Sequence, residues 1–304
     1  TVADLMPLLG ENRIITRFGM DQLPHTKKVG LQALLRESGI GDKGFVTSRD
    51  IGWGIGPRIN AAGRIDDAAI ALDLLLQTDE LEASRLARQV EEINTQRKSD
   101  QAAIEEDAVG LVLEEGLEQR SVIVIGKEGW HPGLIGLVAG KLVERFRRPA
   151  IVMSIDGAKG VAKASCRSIP GFHLGDALHE LRHLVSGGGH AMAAGFSTTS
   201  DKVEEVALAF DEYGKRVLSA EDFLPLIEVD AEVSGAEVTM QAVEALELLQ
   251  PCGAANYEPM FVARGIRFDQ ILPTANPDHV QLNLGGEGMR SARGIAFNMG
   301  ERFA

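Results

Sequence analysis

Between Asp79 and Val109 the chain contains neither glycine nor proline, and most of the residues there favour helix. Leu81, Leu86, Val90 and Ile93 recur at helical spacing, and Ile104, Ala108, Leu111 and Val112 resume that spacing further on. The intervening TQRKSDQ is polar on every side. A helix striped with apolar residues at both ends and polar all round in its middle bridges two bodies through solvent. At 1.5 Å per residue it would be about 50 Å long. Two shorter helices with a break near Ser99 are the alternative reading. A connecting element of this kind forces the remaining sequence into separate units on either side.

A length of 304 residues allows for two or three such units. Residues 1–78 read as mostly helical, with LQALLRES and DDAAIALDLLL as the clearest apolar-periodic pieces and the glycine-rich turn GWGIGPRINAAGR between them. Residues 79–116 form the connecting helix. Residues 117–222 alternate: SVIVIG, PAIVMSI, GVAKASCRSI and AAGFSTT read as strands, and GLIGLVAGKLVERF, DALHELRHL and residues 201–219 as helices. Strand–helix–strand–strand–helix–strand–helix predicts an α/β sandwich. Residues 223–304 turn mainly β, with one short helix over VEALELL, as in a small barrel. The chain begins with Thr and stops at NMGERFA directly after the strand-like RGIAF, so the barrel is expected to be truncated and the chain to be a segment of a longer protein.

With 44 acidic and 31 basic side chains the formal charge is −13, which argues against a wholly basic DNA-coating protein but leaves room for a local basic groove. Cys166 and Cys252 are too few for a disulfide framework or a cysteine-built zinc site, and a reducing, cytoplasmic setting is expected. No apolar run approaches the roughly 20 residues needed to span a bilayer. The opening TVADLMPLLGENR lacks a basic region followed by an apolar core, so neither a membrane nor a secretory signal is expected.

Positive charge is concentrated in residues 121–200, where nine Lys and Arg face five Asp and Glu, and five of the seven histidines fall in the same window. Such a window fits a phosphate ligand, with a solvated basic face as the plain alternative. Gly187, Gly188 and Gly189 permit close approach of backbone to a ligand and can form an anion nest, and His190 directly after them can donate to a phosphate oxygen. A tight turn capped by His190 is the structural alternative, since no dinucleotide or P-loop pattern is matched. In KASCRSIPG, Ser165, Arg167 and Ser168 lie along a strand end; residues 165 and 167 share a face, where a hydroxyl and a bidentate guanidinium reach one terminal phosphate. GPRINAAGR adds Arg58, Asn60 and Arg64 around a glycine turn, or else a helix start with two solvated arginines.

Taken in order, Asp4 in TVADLMPL, GPRINAAGR, GWHPGLIGLVAGKL, SCRSIPGF and GGGHAMAAGF resemble the RecJ-type single-strand DNA exonucleases of the DHH phosphoesterase superfamily. The resemblance covers essentially the whole chain. It implies an α/β architecture: a remnant of a DHH catalytic domain, the long connecting helix, a DHH-associated α/β domain and a partial OB-fold β-barrel. It also implies metal-dependent hydrolysis of single-stranded DNA from a 5′ end in repair and recombination, with two Mn²⁺ or Mg²⁺ ions. The implied setting is a cytoplasmic monomer whose partners are single-stranded DNA and a single-strand-binding protein or helicase. Only Asp4 matches a family metal ligand, and no DHH triplet occurs; one carboxylate cannot organise two hard cations that each want about six ligands. The chain is therefore expected to hold substrate while lacking most metal ligands. The resemblance places Ser165 and Arg167 at a 5′ phosphate with Arg64 nearby, and the Gly187–Gly189 stretch and His190 at the scissile phosphate. Phe261 and Phe268 are the aromatic candidates near the barrel strands, with core packing as the expected role.

Two other readings compete. A phosphodiesterase acting on short oligonucleotides or cyclic dinucleotides would share the glycine stretch, but would not be expected to carry the barrel or so long a helix. A non-catalytic module binding single-stranded nucleic acid is separated from both enzymes by metal-dependent turnover.

Overall fold

The computed structural model describes residues 1–286 and 288–303. In chain order its helices are α1 (Gly10–Gln22), α2 (Val29–Glu37), α3 (Gly56–Ile65), α4 (Ala69–Leu76), α5 (Glu80–Glu114), α6 (Ile135–Phe146), α7 (Leu174–Glu180), α8 (Val203–Val217), α9 (Met240–Glu247) and α10 (Gly300–Phe303). Its strands are β1 (Ile123–Glu128), β2 (Ala150–Asp156), β3 (Val161–Arg167), β4 (Ser186–Gly189), β5 (Ala193–Thr199), β6 (Ala231–Glu232), β7 (Phe261–Val262), β8 (Arg267–Pro273), β9 (Val280–Gly286) and β10 (Met289–Ala296). Two compact units result: Pro24–Gly44 with Arg49–Pro225, and Thr1–Leu23 with Phe45–Ser48 and Leu226–Ala304.

The larger unit is organised by α5, a single 35-residue helix without a break at Ser99. The Asp79 side chain caps it by accepting from the Glu82 N–H at 2.8 Å, and Gly116 follows its end at φ +64°. Ala83, Leu86, Ala87, Val90, Ile93 and Asn94 are buried on its first half, where α2, α3 and α4 pack. Ile104, Ala108 and Val112 are buried on its second half, in a core shared with β1, β2 and α6. From Thr95 to Ala103 no residue is buried, so the polar middle is indeed the solvated stretch.

Beyond α5 lies a five-stranded sheet in the order β1-β2-β3-β5-β4, parallel only between β1 and β2 and antiparallel elsewhere. One face buries Ile151, Met153, Ala162, Ala164, Cys166 and Phe196 under α7 and α8. The other buries Ile123, Ile125, Ala150 and Val152 under α6 and the end of α5. Both faces are covered, as the apolar runs of β1 and β2 require.

Two local expectations are corrected here. GPRINAAGR is not a glycine turn: Gly56–Ile65 is helical, with Pro57 in the first turn, and a single turn of π-helix over Asp50–Ile55 leads into it. Proline fits a first helical turn because no intrahelical acceptor awaits its missing N–H, and Asn60-Ala61-Ala62 carry the helix past Gly63. Nor is Ser186–Gly189 a loop or an anion nest; it is an edge strand paired with β5, Gly187 opposite Phe196 and Gly188 opposite Gly195. A Cβ at Gly187 would stand 2.5 Å from the Phe196 Cα and closer still to the Gly195 carbonyl. Glycine is therefore what lets β4 join the sheet, giving one strand more than the alternation predicted.

In the smaller unit β8, β9 and β10 form an antiparallel meander and β6 pairs in parallel with β7. Among the described residues these OB-like strands do not close into a barrel. The N-terminal segments belong to this unit: the Leu8 N–H donates to the Ala254 carbonyl at 2.7 Å, and Arg13 Nη2 donates to the Leu249 carbonyl at 2.9 Å beyond the end of α9. Phe268 is 49% and Phe261 40% exposed, so neither is the core residue expected of it. Phe268 stands edge-on to Phe303 with ring centroids 5.7 Å apart.

Candidate functional site

Strand alternation puts Lys163, Ser165 and Arg167 on one face of β3 and Ala162, Ala164 and Cys166 on the other, in the α7–α8 core. Across the sheet Ser165 pairs with Gly195, which pairs with Gly188, while Arg167 pairs with Ala193. Directly opposed residues project to the same side. The rung beside Ser165 therefore carries two glycines, and a Cβ built on Gly188 meets nothing within 4 Å. The result is a shallow trough floored by bare backbone, with a hydroxyl and a guanidinium along one wall.

The first turn of α6 closes the end of that trough. A Cβ on Gly136 would lie 2.7 Å from Ser165 Oγ and 3.6 Å from Arg167 Nη2. The Gly136 N–H has no acceptor among the described residues, whereas its neighbours Ile135 and Leu137 donate to His131 and Leu134. A free helix N-terminal N–H beside Ser165 and Arg167 is an anion-binding arrangement. Gly136 was not among the residues singled out from sequence, although it lies inside the GWHPGLIG motif that was.

Arg167 is half-buried and donates from Nη1 to the Cys166 carbonyl at 2.8 Å. Burial pulls its pKa down, against a smaller upward pull from Cys166, and the neighbouring Arg64 guanidinium adds the least, again downward. Burial also pushes the Cys166 thiol up to about 12, so it is no nucleophile. Arg64, at the end of α3, donates from Nη1 to the Gly133 carbonyl at 3.2 Å. A Cβ on Gly133 would collide with the Arg64 carbonyl, so glycine there permits the α3 end to reach the loop before α6. Neither Arg64 nor Arg167 has a carboxylate partner among the described residues.

The other sequence candidates are placed differently. Arg58 is tied to Glu91 on α5 and donates to the Gly54 carbonyl at 2.8 Å, which commits it to holding α3 on α5. Asn60 is exposed on the same helix. Ser168 is buried, its hydroxyl donating to the Phe172 carbonyl at 2.6 Å inside the turn after β3. His190 is exposed, and its backbone N–H closes the β4–β5 hairpin onto the Ala193 carbonyl at 2.8 Å. Asp4 is an exposed turn residue of the smaller unit. Among the described residues no three His, Cys, Asp or Glu side chains are grouped to hold a metal, and no helix is long and apolar enough to cross a membrane.

Comparison with known proteins bears on the chain as a whole. The DHHA1 domain matches residues 119–215 and the RecJ OB domain residues 229–304. The chain is 38% identical over 303 residues to the single-stranded-DNA-specific exonuclease RecJ of Bacillus subtilis (strain 168), covering 99% of this chain and 38% of that protein. It is 35% identical over 311 residues to the exonuclease of the same name from Dickeya dadantii (strain 3937), covering 98% of this chain and 53% of that one. Among solved structures, RecJ from Thermus thermophilus in complex with Mn²⁺ superimposes with a TM-score of 0.84 at 27% identity, over 99% of this chain and 43% of the other. The chain thus spans between about two fifths and half the length of these relatives. Over the part of those proteins that it spans, the chain is similar to RecJ, with a DHHA1 domain followed by a RecJ OB domain.

Proposed function

We propose that this chain is the substrate-holding part of a metal-dependent exonuclease that degrades single-stranded DNA from its 5′ end during repair and recombination. The observation that carries this reading is the cluster of Ser165 Oγ, the Arg167 guanidinium and the free Gly136 N–H at the end of the glycine-floored trough, with Arg64 beside it. A terminal phosphate dianion has oxygens enough for all of them, and charge-assisted bonds of this kind are the strong ones. Relatives of the chain bear the name single-stranded-DNA-specific exonuclease.

Ser165 donates one neutral hydrogen bond, Arg167 donates a forked pair, and Arg64 adds charge without a carboxylate to neutralise it. The bare rung of Gly188 and Gly195 leaves space for the sugar of the terminal nucleotide. His190, exposed at the hairpin end, donates to the phosphate being cleaved. The division into residues 1–78 (part of a DHH catalytic domain), 79–116 (connecting helix), 117–222 (DHH-associated domain) and 223–304 (OB domain) fits the order of these elements.

Related structures hold Mn²⁺ or Mg²⁺, and hydrolysis by such an enzyme draws its attacking hydroxide from bound metal. The described residues of this chain do not fit such ions: Asp4 is an exposed carboxylate, and no three His, Cys, Asp or Glu side chains are grouped to hold a metal. The role assigned to this chain is binding and orientation of the strand. A cytoplasmic monomer working on strands exposed by a helicase or held by a single-strand-binding protein is the setting this reading implies.

The test is binding of fluorescent oligonucleotides with and without a 5′ phosphate. Arg167→Ala is expected to abolish a preference for the phosphorylated strand while leaving the hydroxyl strand nearly unaffected. Equal loss on both strands would remove the terminal-phosphate assignment. In parallel, incubation with Mn²⁺ against an EDTA control is expected to give no shortening, and metal-dependent shortening would overturn the binding-only role.

A further inference from the structure

Arg85 of α5 takes a carboxylate, bonding Glu82 at 2.6 Å, and Arg58 reaches across from α3 to Glu91 of α5. Arg97 does not. Its Nη1 donates to Gln101 Oε1 at 2.8 Å and its Nη2 to Asn94 Oδ1 at 3.1 Å, both neutral amides. Amide acceptors fix the orientation of a guanidinium while leaving its full charge in place. Two N–H bonds on the Nη atoms remain unassigned, since each nitrogen carries two hydrogens and uses one.

Asn94 is fully buried, on a stripe that is otherwise apolar, and among the described residues neither its Nδ2 nor the buried Nε of Arg97 has an acceptor. Every unmet group here is a donor, and leaving buried donors unmet costs about 1–3 kcal/mol each. The position of this cluster follows from helix geometry. Arg58 and Glu91 pin α3 to α5 across a separation of 33 residues, and Arg64 and Arg97 stand six residues further along the two helices, at the same separation. Arg64 in turn bonds the loop before α6. The electrostatics trace one row: Arg64 depresses both Arg97 and Arg167, while those two do not register on each other. Burial is the larger cause for both.

We propose that Arg97, held by Asn94 and Gln101 on α5, contacts an internal phosphodiester of the bound strand, one or more linkages away from the end that Arg167 holds. A strand whose terminal phosphate lies at Ser165 and Arg167 runs past Arg64 onto α5, where a phosphate oxygen meets the Nη hydrogens of Arg97 that Asn94 and Gln101 leave unused. The connecting helix is then part of the binding surface as well as a spacer. This inference rests on the terminal-phosphate reading for its direction along the strand.

The experiment measures affinity of the whole chain for a 5′-phosphorylated and a 5′-hydroxyl oligonucleotide across a salt series. Arg97→Ala is expected to weaken both by the same factor, about tenfold, and to reduce the slope of log affinity against log salt by about 0.7, the value for one phosphate contact on a single strand. Asn94→Asp, isosteric but supplying the missing carboxylate, is expected to do the same without lowering the melting temperature. Arg97→Lys is expected to keep the slope. Replacing single linkages by uncharged methylphosphonates should find one internal linkage at which Arg97→Ala has no further effect. Unchanged affinity and slope in Arg97→Ala would overturn the proposal, as would a loss confined to the 5′-phosphorylated strand. If Arg167→Ala fails to discriminate between the strands while Arg97→Ala behaves as stated, the terminal-phosphate reading falls and the internal contact stands.

Discussion

Gly187 and Gly188 are neighbours in one edge strand, yet a methyl group on each should have opposite consequences. At Gly187 the added Cβ would stand 2.5 Å from the Phe196 Cα and 2.6 Å from its Cβ. These atoms belong to β5, the partner strand, and cannot swing aside as a side-chain tip can. Relief requires β4 to move away by about 1 Å, and overpacking of this kind costs about 1–3 kcal/mol. Taking about 2 kcal/mol, local opening of the β4–β5 pairing rises about 30-fold, since 1.4 kcal/mol is tenfold. At Gly188 nothing lies within 4 Å, and Gly→Ala in a strand gains roughly 0.5–1 kcal/mol by reducing the freedom of the unfolded chain.

Hydrogen exchange at the Gly195 and Ser197 amides, which face β4, reads the first quantity directly. Gly187→Ala should speed it about 30-fold, and Gly188→Ala should leave it unchanged or slower. Binding reads the second: the Gly188 methyl stands on the floor of the trough, so Gly188→Ala should lower affinity for a 5′-phosphorylated strand several-fold in a fully folded protein. Equal exchange in the two variants would refute the packing argument. Undiminished binding by Gly188→Ala would refute the identification of the trough as the ligand's seat.

Arg58→Ala, which removes a largely buried ion pair and the bond to the Gly54 carbonyl, should cost about 1–2 kcal/mol in denaturant unfolding while preserving any preference for a 5′ phosphate; loss of that preference would return Arg58 to the ligand site. Asp211 is a buried carboxylate. Burial raises its pKa, but Lys215 at 3.0 Å, the Ser121 N–H at 2.7 Å and Arg120 at 3.1 Å outweigh burial and hold it below the ordinary value. A depressed folded-state pKa contributes stability above the unfolded carboxylate range near pH 4, lost as pH falls through the lower folded value. Asp211→Asn should therefore cost about 3 kcal/mol at neutral pH and flatten the acid limb of a stability-against-pH curve; an unchanged acid limb would show that the carboxylate carries no such linkage.

The parts of this fold that were legible in sequence are those governed by local rules. The absence of glycine and proline from Asp79 to Val109 specifies one helix, and the apolar runs of β1 and β2 specify strands covered on both faces. Ser165 and Arg167 were legible as a pair because strand alternation alone puts them on one face. The glycine edge strand was not. Glycine carries no strand preference, so SGGG reads as a turn until β5 is alongside, and only the clearance to Phe196 explains why three glycines are there. GPRINAAGR left a glycine turn and a helix start both open, and packing of the proline-started helix on α5 decides between them.

Arg97 was invisible for a deeper reason, yet its neighbour left a trace. Asn94 falls on the stripe of Ala83, Leu86, Ala87, Val90 and Ile93, at a position where the helical period calls for an apolar residue. A polar side chain at a core position must satisfy its donors and acceptors inside the fold or destabilise it. Here the carbonyl is satisfied by Arg97 and the amide is not satisfied at all. Leucine at that position would continue the apolar stripe and leave no buried amide unmet. The arrangement makes physical sense if the purpose of Asn94 is to hold a guanidinium still without neutralising it. The sequence signal for such a site is thus a break in an apolar stripe next to an arginine, which becomes interpretable only when the opposite helix brings Arg64 to the same level.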